Sequence, residues 1–116
     1  MKNKISIYTL WFIGKTTYYN QKKYSNVFKK NSDYYSYFYG NSNLFTRENI
    51  HKMVNLYLNF PIYYQKLESL NWEQYKILLN IQNKSECFFY FRVLLLIRCD
   101  YLETHDLISN DYYNRI

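Results

Sequence analysis

Arg47, His51, Lys52 and Asn55 are the side chains in this sequence whose types and spacing best suit a chemical task. On a 3.6-residue helix they share the polar side. There Arg and Lys suit phosphate oxygens and Asn suits a base edge. Upstream, Lys2, Lys4, Lys15, Lys22, Lys23, Lys29 and Lys30 all precede the first acid, Asp33. Charge of this kind attracts polyanions by counterion release, so affinity falls steeply with salt. The expected nucleic-acid contacts are Lys22, Lys23, Lys29 and Lys30 on the backbone, with Arg47, His51, Lys52 and Asn55 from the helix. A solvated lysine-rich surface or an acidic protein partner would account for the same charges.

The asymmetry is more informative than the net +6. Residues 1–60 hold nine Lys or Arg against Asp33 and Glu48, a balance of +7, whereas residues 61–116 hold six against seven acids, or −1. Any polyanion surface belongs to the first half. Base-stacking offers a second use for some of the sixteen tyrosines. Most of them are expected in core or half-buried packing with the hydroxyl at the surface.

No catalytic or metal constellation is legible. Cys87 and Cys99 are twelve positions apart, without a neighbouring ligand at metal spacing, and His51 and His105 are isolated. Cys87 reads as a small packed hydrophobe. The acids Asp100, Glu103, Asp106 and Asp111 read as helix-surface charges. Neither enzyme chemistry, a cofactor nor a small-molecule substrate is expected.

The elements that must position these groups read as helices. Ile50, Met53, Val54, Tyr57 and Leu58 form one apolar stripe, with Thr46 as N-cap and Pro61 as stop, which predicts a helix from about Arg47 to Phe60. A second begins at Asn71, with Gln74 completing a capping box and Trp72, Tyr75, Leu78, Leu79 and Ile81 as its stripe. After Asn83 and Ser85, Phe88, Phe89, Phe91 and the run from Val93 to Ile97 read as too apolar to face water, the buried element of the domain. From Lys22 to Tyr39 the positions Tyr24, Val27, Phe28, Tyr34, Tyr35 and Phe38 suggest a helix broken near Asn31 and Ser32. With Gly40 to Phe45 as the turn, it would be the first arm of a loose helix-turn-helix whose second arm carries Arg47. Because the deep major groove of A-form RNA excludes a helix, RNA would instead meet the lysine face and exposed tyrosines.

Phe45, Thr46, Arg47, Asn49, Ile50, Met53, Tyr57, Phe60 and Pro61, then Leu70, Trp72, Tyr75, Leu78, Leu79, Ile81, Phe89 and Tyr90, resemble the N-terminal domain of the YhcG-like PD-(D/E)XK nucleases. Trp11, Ile13 and Gly14 resemble an early family pattern, and Tyr113, Arg115 and Ile116 its closing one, so the resemblance spans nearly the whole chain. It implies a helical, helix-turn-helix-like domain that precedes a nuclease domain. The nuclease's carboxylates and lysine have no counterpart in these residues. Gln74 stands where the family has His, and Cys99 and Asp100 stand where it has Trp-Ser.

With 116 residues, 48% of them hydrophobic, two Gly and one Pro, the expected fold is all-α: one domain, residues 1–116, of five to seven helices. Ile5 to Gly14 imitates a signal peptide without a cleavage site, and Tyr8 and Trp11 fit a packed helix better. Phe88 to Ile97 is too short to cross a bilayer. These features lead to the expectation of a cytoplasmic protein without membrane association. Alanine is absent while Tyr, Asn, Lys, Ile and Phe abound, residues with AT-rich codons. The leading expectation is a nucleic-acid-binding module. The alternative is a phage or mobile-element inhibitor of a host RNA-guided nuclease, an anti-CRISPR protein that binds the effector nucleoprotein or its guide RNA. A structural role as a homodimer through exposed Tyr and Phe patches is a third.

Overall fold

Ser6 opens the first helix by accepting a hydrogen bond from the Thr9 amide (3.2 Å), the bond expected of an N-cap. A computed structural model describes residues 5–98 and 100–115; Lys2, Lys4, Cys99 and Ile116 lie outside the described residues. Among those described there are seven α-helices, one 3-10 helix and no strand, in agreement with the all-α expectation. The contacts divide the chain into two compact units, Met1–Tyr63 and Tyr64–Ile116. No described helix is long and apolar enough to cross a membrane.

The first unit contains α1 (Ile7–Asn20), α2 (Val27–Tyr39) and α3 (Arg47–Asn59). Packing of α1 along α3 makes its core. Leu10, Ile13, Ile50, Met53 and Leu56 are buried to 2% exposure or less, each contributing about 1.5–3 kcal/mol by burial. Gly14 allows the two backbones to approach closely, because a β-carbon there would strike the Met53 carbonyl. Trp11 closes the far end, its buried indole N–H donating to the Phe60 carbonyl at 2.6 Å.

Thr46 caps α3 as expected, accepting from the Asn49 amide at 3.1 Å. Leu56 and Asn49 join the buried face, whereas Leu58 is only half-buried. The Asn49 side chain donates to the Asn43 and Leu44 carbonyls (3.3 and 3.0 Å) and so pins the loop that enters the helix.

The helix expected over Lys22 to Tyr39 is shorter and unbroken. It starts at Val27, after Asn26 takes the left-handed conformation (φ 59°), and continues through Asn31 and Ser32 without interruption. Those two polar residues form packing contacts: Asn31 donates to buried Thr17 (2.7 Å) and Ser32 to the Phe45 carbonyl (2.6 Å). Of the expected apolar stripe only Val27 is buried, and Tyr34 and Phe38 are exposed. Gly40, at φ +64°, ends α2, and the connection through Thr46 is longer than a tight helix-turn-helix.

The second unit contains a 3-10 helix (Gln65–Ser69), α4 (Trp72–Leu78), α5 (Lys84–Ile97), α6 (Tyr101–Ser109) and α7 (Tyr112–Arg115). The expected Asn71–Gln74 capping box is present, and Asp100 with Glu103 forms another. Ile81 lies beyond the end of α4. Buried Gln74 donates to Thr104 (3.1 Å), and the Tyr75 hydroxyl to the Leu67 carbonyl (2.7 Å). Cys87 is fully buried, as expected.

The reading of α5 as a wholly buried element is corrected. Cys87, Tyr90, Phe91 and Leu94 are buried, but Phe88, Leu96 and Ile97 are 37%, 82% and 54% exposed. Successive residues turn by about 100°, so a continuous apolar run necessarily wraps around the helix while the core takes only the i, i+3, i+4, i+7 side.

Candidate functional site

Two features deliver the segment between α1 and α2 to one wall of a cleft. The Lys23 and Tyr24 amides both donate to the Asn20 carbonyl at 3.0 Å, which closes a tight turn after α1. Asn26 then supplies the left-handed step into α2, a conformation Asn tolerates better than most residues. It makes no side-chain cap, so the first-turn amides of α2 lack that partner.

The opposite wall is the start of α3. Lys22, Tyr24, Phe28, Lys29, Arg47 and His51 line the resulting cleft of about 590 Å³, together with Gln21, Ser25, Asn26 and Val27. Neither Asp nor Glu is in the lining. His51 lies flat on Phe28, ring centroids 3.7 Å apart and planes inclined by 11°, which fixes the imidazole against α2. Lys22, Lys29 and Arg47 form no ion pair among the described residues, unlike Lys76, which meets Glu73 at 3.1 Å.

Half of the sequence-predicted site residues therefore converge: Lys22, Lys29, Arg47 and His51. Lys23 and Lys30 are exposed beside the cleft without lining it. Lys52 is half-buried, and Asn55 lies about 12 Å along α3 from Arg47. One polar helix face is thus divided, because only its first turns reach the 21–29 segment.

No family model, curated protein or solved structure matches this chain. Of the residues from which a YhcG-like domain is expected, Phe45, Ile50, Met53, Tyr57, Tyr75, Leu78 and Tyr90 are interior, and Arg47 lines the cleft.

Sequence reading missed Gln21, Tyr24, Ser25 and Asn26 as site residues, having placed Tyr24 on an apolar stripe. The available signal was Ser25-Asn26, a turn-forming pair. The tyrosines are also more exposed than expected, with eight of the fifteen whose burial is described in the exposed class. Tyr8, Phe12, Tyr34 and Phe38 line a second recess, about 310 Å³, between α1 and α2, and no charged side chain contributes to it. Its rings pair with one another, Tyr34 on Phe38 at 5.9 Å and Tyr8 on Phe12 at 6.1 Å.

Proposed function

We propose that this protein is a nucleic-acid-binding module that acts through the cleft between α2 and α3. The observation that carries the reading is convergence of Lys22, Lys29 and Arg47 from three separate segments on one cleft without an acid in its lining. Like charges held together without internal partners raise the local potential and favour a polyanion. Lys23 and Lys30, neighbours in sequence of the lining residues Lys22 and Lys29, are exposed and add to the positive charge of this segment. The +7 balance of the first half supplies longer-range attraction, and the resemblance to a helix-turn-helix-like domain favours the same class of ligand.

Affinity measured against salt tests this. Three cations on phosphates predict a log–log slope of about −2 to −3. A flat response, or no binding at low ionic strength, removes the electrostatic basis and the function with it.

A further inference from the structure

We infer that the cleft takes single-stranded rather than duplex nucleic acid, with one base stacked on Tyr24 and the adjoining phosphates on Lys22, Lys29 and Arg47. This rests on the reading of the cleft as a nucleic-acid surface and specifies the form of the ligand.

Tyr24 is 56% exposed, and its ring has no aromatic partner among the described residues. The comparably exposed Tyr19 and Tyr34 do have one: Tyr19 meets Tyr18 edge-on at 5.3 Å, and Tyr34 stacks on Phe38. The backbone of Tyr24 is held by its hydrogen bond to Asn20, so the open ring stands on a defined turn. An unoccupied aromatic face beside a row of cations is the composition of a single-strand platform, where each base contributes through stacking and the groove tracks the phosphates.

The same geometry disfavours a duplex. A helix with its side chains is about 10–12 Å across and fills a major groove about 12 Å wide. A helix that reads such a groove must present its first turns without a flanking wall. Here Arg47 and His51 open into a recess walled by residues 21–29, and Phe28 covers one face of His51. A wall beside those side chains hinders the approach of a rigid groove, whereas a flexible strand can enter the recess.

Fluorescence anisotropy at fixed salt with three probes tests the inference: oligothymidylate, its duplex with oligoadenylate, and an abasic strand with the same number of phosphates. The wild-type protein is expected to bind oligothymidylate about tenfold or more tighter than the duplex or the abasic strand. Tyr24→Ala should reduce oligothymidylate binding to the abasic level, and Tyr24→Trp should retain it. Duplex binding as tight as the single strand overturns the inference. So does an unaffected Tyr24→Ala variant when Arg47→Ala weakens every probe, which leaves the polyanion cleft standing. No binding to any probe at low salt overturns both readings.

Discussion

Gly14 of α1 lies so close to Met53 of α3 that a β-carbon on it would strike the Met53 carbonyl and come within 2.9 Å of the Val54 nitrogen. Both obstacles are backbone and cannot rotate away. Gly14→Ala must therefore separate the two helices that form the core of the first unit, at a cost of about 3 kcal/mol. Gly40→Ala meets nothing within 4 Å and carries only the strain of its φ of +64°, about 1 kcal/mol. Thermal unfolding followed by circular dichroism should rank them in that order, and equal losses would contradict the close approach.

Arg47→Ala should weaken binding to every nucleic-acid probe and reduce the salt slope by about one. Arg92, exposed on α5, provides the comparison. Its replacement by Ala should leave the slope unchanged if the cleft carries the contacts, and equal effects at both positions would indicate diffuse attraction to net charge.

The Phe28–His51 stack predicts a spectroscopic signature. The imidazole protons of His51 should resonate upfield under the Phe28 ring current and return towards ordinary positions in Phe28→Ala. A stability loss of about 1 kcal/mol should accompany the change. An unshifted wild-type resonance would show that the rings do not stack in solution.

Burial pushes the Cys87 thiol from its ordinary 9.0 up to about 11, with a smaller contribution from the nearby Glu86 charge. Below pH 9 folded and unfolded chains both hold the proton, so this group leaves stability unchanged there. Between pH 9 and 11 the unfolded chain loses its proton first, and stability falls as pH rises. A disulfide reagent at pH 8 should modify Cys87 only as fast as the chain unfolds. Rapid labelling of Cys87 in the folded protein, located by mass mapping, would contradict its burial.

Particular residues show how far the sequence could be read. Thr46 and Asn71 with Gln74 cap the helices they were expected to cap, because a cap is a contact with an amide two or three positions away. Ile50, Met53 and Tyr57 are buried because helical period alone puts them on one side. Periodicity failed where polar groups form the packing: Asn31 and Ser32 looked like a break, yet they join α2 to Thr17 and Phe45. It failed again along α5, where apolar character overstated burial at Leu96 and Ile97.

The candidate site divides in the same way. Arg47 and His51 could be assigned to one polar helix face from their spacing, and Lys22 and Lys29 could be recognised as part of the lysine-rich stretch that precedes the first acid, Asp33. Their meeting in one cleft depends on the Asn26 left-handed step and on α3 packing beside α2.

Helical character, caps, core stripes and uneven charge were determined by the sequence itself, since each arises from neighbours within about one helical turn or from composition. Tertiary structure alone decided which cations share a cleft, that Tyr24 stands open while Tyr34 is stacked, and that Gly14 meets Met53. These relationships join residues far apart in the chain, and long-range packing sets their distances.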